Sequence, residues 1–191
     1  MNFYYNGTDI YNDVSVNYCV HEMFAEKQAD TLVIRFNDTK GIWSKWQPAA
    51  GDTVRFKEGA SDTGKMFIHS MKPENGLFTI RAMSMPKTAK IRKSKSWEGV
   101  RFLQLANEFA GNHGLTFKNY GCEDQVYPYI KQSNEGDFSL FSRLCMLEGC
   151  QMLIFDGSLL AYNEHYIEQQ EPAGSLTVDE NGVFTYEDNR D

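Results

Sequence analysis

The chain has 191 residues and a formal net charge of −7, with 41% hydrophobic and 24% charged residues. These proportions belong to a chain that buries a core, and the length fits one or two domains. The acidic balance disfavours general binding to nucleic acid backbones, which depends on clustered Lys and Arg, and no window approaches the run of about 18 apolar residues that spans a membrane.

Residues 1–85 alternate with period two, the pattern of half-buried strands. Val14, Val16, Tyr18 and Val20 share one side, as do Leu32, Ile34 and Phe36. Val54 and Phe56, Met66 and Ile68, and Phe78, Ile80 and Ala82 continue the pattern. Turn residues separate the runs at Asn6-Gly7, Lys40-Gly41, Ala50-Gly51-Asp52, Asp62-Thr63-Gly64 and Pro73-Glu74-Asn75-Gly76. Five or six short strands at this spacing predict a small β-barrel or sandwich, since a flat open sheet would leave edges that need covering. The first seven residues, Met1 to Gly7, hold no basic stretch and no long apolar run, so no secretory signal is read there.

Pro86 closes this first segment. The basic stretch Lys87–Lys95 is read as a connecting loop or exposed strand; it lacks the interleaved aromatics of a single-strand nucleic-acid groove. A helix is then expected, with Ser96 as N-cap, Glu98 in its first turn, and a stripe of Val100, Leu103, Ala106 and Ala110 widened by Phe102, Leu105 and Phe109. Gly114 supplies its stop. Tyr127 to Ser133 reads as extended. A second helix begins near Gly136-Asp137, carries Phe138, Phe141, Leu144, Cys145 and Leu147, and ends at Gly149. Residues 151–163 form a hairpin on Asp156-Gly157. Beyond Tyr166 the chain turns acidic, and two short strands fit Ser175 to Val178 and Gly182 to Tyr186, joined by Asp179-Glu180-Asn181-Gly182. The fold class is thus α+β: a β segment over 1–86, an α/β part with two helices and a hairpin over 87–166, and a short β segment over 167–191.

The chemical motifs are sparse. Gly59 to Met66 approaches the phosphate-loop pattern, but Met66 stands where a magnesium-binding hydroxyl is needed and strand residues follow, so it reads as a hairpin turn. The four cysteines, Cys19, Cys122, Cys145 and Cys150, lack metal-knuckle spacing and read as reduced thiols of a protein made in the cytosol. Cys145 and Cys150 with His165 downstream fall short of a metal site. His21 and His69 sit in strand patterns and His113 at a helix end. There is no G-x-S-x-G and no H-E-x-x-H. No catalytic, cofactor-binding or metal-binding residue is assigned. Trp43 and Trp46 form the one sugar-platform candidate, though paired aromatics of this kind more often pack in a core.

Gly136 to Gly149, with the trailing Phe155-Asp156-Gly157, resembles the helix and hairpin of the phage late control gene D family. Lys95 to Val100 through Ala110 to Leu115 resembles the family's preceding helix, and Ala29 to Ile34 and Gly51 to Val54 resemble strands of its first barrel. The likeness covers roughly residues 10–165. It implies a non-catalytic hub of a contractile tail or related injection machine: two tail-tube-type barrels with an α/β part between them. Three subunits close into a ring whose six barrels match the sixfold tube. The implied partners are two further copies, the tail tube protein, the spike protein and the tape measure protein, and the implied location is the virion tail or tail-like particle. The sequence departs from the family near Gly174, where a second barrel would begin, so a shortened chain or a single-barrel variant is expected. Two rival readings are a tail-associated peptidoglycan hydrolase and a carbohydrate-binding module built on Trp43 and Trp46.

Overall fold

The computed structural model describes residues 1–24, 29–172, 174–178 and 184–188. The N-terminal part is one mixed-length antiparallel sheet. Its strands are β1 (Asn2–Tyr5), β2 (Thr8–Asp9), β3 (Val16–Glu22), β4 (Thr31–Asn37), β5 (Thr53–Glu58), β6 (Ser61–Asp62), β7 (Met66–Glu74) and β8 (Leu77–Met83), with a short helix α1 (Ile42–Trp46) between β4 and β5. The hydrogen-bonded path runs β2-β1-β5-β7-β8-β4-β3, with β6 on β5. Asn6-Gly7 and Asn75-Gly76 both have positive φ throughout and make the tight hairpins β1–β2 and β7–β8, as their sequences predict.

The sheet rolls up. In a flat sheet β1 and β4 would lie roughly 19 Å apart, at about 4.8 Å per strand, yet the rings of Phe3 on β1 and Phe36 on β4 are 5.3 Å apart. The roll opens at one seam, because β5 and β7 pair only through Thr53–Phe67 and Val54–Met66. Its interior holds Phe3, Leu32, Ile34, Phe36, Val54, Met66, Ile68, Phe78 and Ile80, and α1 drops Trp43 into the middle. The path ends at β2 and β3, which do not pair with each other among the described residues, so the expected barrel is found as a rolled sheet with open rims.

Two bulges adjust the alternation. Between Val16 and Tyr18 the β3–β4 register shifts, so Cys19 rather than Tyr18 follows Val16 toward the core, and Tyr18 is left 49% exposed. Between Ile68 and Ser70 the β7–β8 register shifts at His69, and Met71 follows Ile68 inward. Pro73 also lies in β7. It is tolerated because that half of the strand has β8 on one side and no partner in β5.

The chain continues through a 3₁₀ turn (Lys87–Lys90) into β9 (Lys93–Arg101), α2 (Phe102–Asn112), β10 (Thr116–Tyr120), β11 (Val126–Glu135), α3 (Asp137–Leu147), β12 (Gln151–Phe155), β13 (Ser158–Tyr162) and α4 (Glu164–Glu168). Strands β9 and β11 form a long antiparallel ribbon, and β10-β13-β12 form a small sheet in which β10 and β13 run parallel. Both helices bury their apolar faces in a second core of Phe102, Leu105, Phe109, Phe138, Leu140, Phe141, Leu144, Leu159 and neighbours.

The start of α2 corrects the sequence reading. Ser96, Glu98 and Val100 belong to β9, and the helix begins at Phe102. Gly99 has φ 58 opposite Pro128, and this kink lets Trp97 and Val100, three residues apart, both face the second core. A strand thereby imitates helical spacing. The helix has no side-chain cap of its own. Instead Asp124, from the β10–β11 loop, accepts the Leu103 N–H at 2.9 Å while Arg101 Nε donates to its other oxygen at 2.6 Å. Gly114 ends α2 as predicted, with φ 68 and the Leu115 N–H returning to the Ala110 carbonyl. In α3, Leu140 is buried where Leu147 was expected, and Leu147 is 70% exposed at the last turn, past the cover of the core. The Asp156-Gly157 hairpin is present with φ 44 and 72. Strands β14 (Gly174–Val178) and β15 (Phe184–Asp188) pair antiparallel, and the predicted Asp179–Gly182 turn lies outside the described residues.

Candidate functional site

The first three residues of β7, Met66 to Ile68, are buried on both faces. Met66 and Ile68 point into the rolled sheet, whereas Phe67 belongs to the second core. The two cores therefore share one wall. A polar latch reinforces it, because the Asp156 hairpin tip reaches back to the β6–β7 corner. The Lys65 N–H donates to Asp156 Oδ1 at 2.9 Å, and Arg55 Nη1 lies 3.8 Å from the same oxygen. Gly64, at φ 63, makes the approach possible, since a Cβ there would sit 3.1–3.2 Å from the backbone and Cβ of Asp156. Arg55 also grips Asp62 through two hydrogen bonds of 2.8 and 2.6 Å, and Lys57 reaches the same carboxylate at 2.9 Å. The Arg55 hydrogen bonds hold the Asp62 carboxyl well below the usual carboxylate range. A cleft of about 590 Å³ opens over this corner, lined by Tyr4, Arg55, Lys57, Lys65 and Asp156 among others.

Under the second core lies a buried carboxylate. Asp137, 1% exposed, accepts from Gln132 Nε2 (2.9 Å), Lys93 Nζ (2.9 Å), Asn112 Nδ2 (3.1 Å) and His113 Nε2 (3.2 Å). His113 Nδ1 in turn lies 3.0 Å from the Thr88 hydroxyl. Burial works against the Asp137 charge, but the hydrogen bonds from Gln132, Lys93 and Asn112 outweigh it and hold its carboxyl below the ordinary range. Burial keeps the His113 imidazole below its ordinary range despite the neighbouring Asp137. The neutral ring can donate to Asp137 and accept from Thr88.

Thr88, His113 and Asp137 have the connectivity of a nucleophile, base and carboxylate. The surroundings give it a different purpose. Lys93, Gln132 and Asn112 saturate Asp137, and the group pins the 3₁₀ turn, β9, the end of α2, β11 and the start of α3 to one point. The cleft over the Asp156 corner, the groove between β13 and α4 and the cleft beside Cys150 are lined by other residues than Thr88, His113 and Asp137. The arrangement is a structural clasp. The sequence reading saw Asp137 only as a helix start and His113 only as a helix end; their meeting across 24 residues left no local signal.

Trp43 and Trp46 do meet, with ring centroids 5.2 Å apart. Trp43 is 2% exposed and stacked on Phe78 at 5.3 Å and 6°, so its face is closed to a sugar. Trp46 is 44% exposed beside Tyr5, and on its own it is half of a platform. The phosphate-loop look-alike is the β5–β6 hairpin turn and its exit. Cys145, Cys150 and His165 do not form a metal centre: among the described residues no group of three or more His, Cys, Asp or Glu is placed to share an ion. No helix among the described residues is long and apolar enough to cross a membrane.

A shallower groove of about 460 Å³ lies between β13 and α4, with Tyr120, Leu160, Tyr162 and Ile167 on its floor and Glu164 and Glu168 on its rim. A smaller cleft of about 280 Å³ opens beside Cys150.

No protein-family model matches the sequence, and no curated protein matches it. Solved structures do. The 43 kDa tail protein of prophage MuSo2 from Shewanella oneidensis superposes with a TM-score of 0.60 at 15% identity, over 85% of this chain and 54% of its own. A tail protein from Neisseria meningitidis MC58 gives 0.61 at 10% identity, over 84% of this chain and 49% of its own. The prophage tail protein gp18 from Listeria monocytogenes EGD-e gives 0.56 at 12% identity, over 91% of this chain and 62% of its own. This chain thus spans 49–62% of the length of those proteins, and at these identities what it shares with them is a fold, the one on which three phage and prophage tail proteins are built.

Proposed function

We propose that this protein is a structural component of a phage tail or tail-like particle, a baseplate hub subunit that joins the tail tube to the central spike. In this reading residues 1–86 are a tube-type barrel, 87–166 an α/β domain and 167–191 the beginning of a second barrel. Three copies close into a ring that meets the tube protein, the spike protein and the tape measure protein, and the protein performs no catalysis.

The observation that carries the reading is the rolled sheet whose rims, β2 and β3, have no further strand beside them among the described residues. The seven-residue edge of β3 invites another strand, whereas β2 is only two residues long, and a ring of copies is a way to satisfy the β3 rim. The likeness to three tail proteins supports the same conclusion. The buried Asp137 clasp and the latch at Asp156 suit a part whose shape must not vary. The test is localisation: antibody-labelled electron microscopy of purified particles is expected to mark the junction of tube and spike. Particles whose tail tips lack the protein would rule the hub out. A clearing zone on peptidoglycan, abolished by Thr88→Ala, would favour the hydrolase instead.

A further inference from the structure

The second core contains three thiols that the tail reading does not use. Cys122 follows β10, Cys145 lies on α3 and Cys150 follows α3; they are 6%, 1% and 2% exposed. All are free. The backbone holds two of them firmly. Asn119 Nδ2 donates to the Cys122 carbonyl at 2.9 Å and its Oδ1 accepts the Cys122 N–H at 3.0 Å, while the Cys150 N–H donates to the Cys145 carbonyl at 2.8 Å. Cys122 and Cys150 lie in the same core cluster, and Gly121 and Glu123, on either side of Cys122, line one cleft with Cys150. This is the 280 Å³ cleft, lined also by Glu148, His165 and Tyr166.

We infer that Cys122 and Cys150 form a redox-closed staple, oxidised by a small cationic disulfide that enters through this acidic cleft. The thiolate of Cys150 attacks one sulfur of the incoming disulfide, makes a mixed disulfide and releases one small thiol. Cys122 then gives up its proton and attacks the Cys150 sulfur, which expels the second small thiol and leaves the Cys122–Cys150 bond. Two protein thiols are oxidised and one small disulfide is reduced to two thiols, so electrons balance. The product ties the β10–β11 loop, which carries the Asp124 cap of α2, to the end of α3. Burial raises both thiols above the ordinary range, so closure is slow at neutral pH and quickens about tenfold per pH unit as thiolate forms. The inference does not depend on the tail reading.

The test uses the full chain with cystamine as oxidant at pH 7 and pH 9. Thiol titration is expected to fall by two groups with no residue of bound cysteamine on Cys150, and peptide mapping to find a Cys122–Cys150 link. The thermal midpoint should rise by several degrees. Cys122→Ser should trap a stable mixed disulfide on Cys150. At low salt, cystamine should outpace the anionic oxidised glutathione, and Glu123→Gln should narrow the difference. A dominant Cys145–Cys150 link, a lasting mixed disulfide in the unaltered chain, or no reaction at pH 9 would each overturn the staple. Equal rates for the two oxidants would overturn the acidic route.

Discussion

The two cores of this molecule are built on opposite plans. The first is apolar and aromatic: Trp43 touches Phe3, Tyr5, Phe36 and Phe78, and the strands supply the apolar residues around it. The second has an apolar interior too, but its elements are registered against one another by a buried carboxylate with four donors. The difference follows from connectivity. A continuous sheet positions its own side chains through ladder hydrogen bonds. Two helices, a ribbon and a small sheet share no ladder, so a polar point of reference supplies what backbone pairing cannot.

This contrast can be broken at either end. Trp43→Ala empties the middle of the roll and should cost about 4 kcal/mol in denaturant unfolding; the more conservative Trp43→Phe should cost much less. Asp137→Ala strands Gln132 and His113 in the interior, while Lys93, 39% exposed at its side chain, can rehydrate. A loss of about 3 kcal/mol is expected, the low end for breaking a buried pair. Asp137→Asn should recover part of it, since Asn keeps an acceptor. Gly64→Ala places a side chain at φ 63 against the Asp156 backbone and should cost about 1–2 kcal/mol. Its sharper signature is faster hydrogen exchange at Lys65, whose N–H loses its partner.

The smallest effect is a pH dependence set mainly by His113 in the second core. The folded protein holds His113 neutral, with its pKa below the ordinary value. The unfolded chain takes up that proton below about pH 6.5. Stability is therefore full above that pH and falls as pH drops toward the lower folded value. His69 is shifted downward by burial as well and adds to the same slope. His113→Gln should flatten the dependence of the thermal midpoint between about pH 7 and 5, and Trp43→Phe should leave it unchanged.

The first core was largely legible in the sequence because strand alternation and Asn-Gly turns are local signals. Leu32, Ile34, Phe36, Phe78, Ile80 and Ala82 were placed by period alone, and all are buried. What escaped was wherever the backbone breaks its period. The bulge after Val16 turned Tyr18 out, and the kink at Gly99 set Val100 facing the second core at helical spacing from Leu103 although it lies in a strand. The short first strand, with Phe3 and Tyr5, passed unremarked because four residues are too few to display a period. The Asp137 clasp was invisible for a different reason. Its four donors come from three separate stretches of chain, and no one of them is unusual in its own neighbourhood. Asp124 capping a helix it does not precede is the same case. Long-range polar contacts carry no spacing rule.

Strand β7, with Phe67 turned one way and Met66 and Ile68 the other, has a mechanical consequence. A load pulling the two halves apart would have to peel Phe67 from one side or drag its neighbours from the other. One short extended segment thus couples the two cores mechanically.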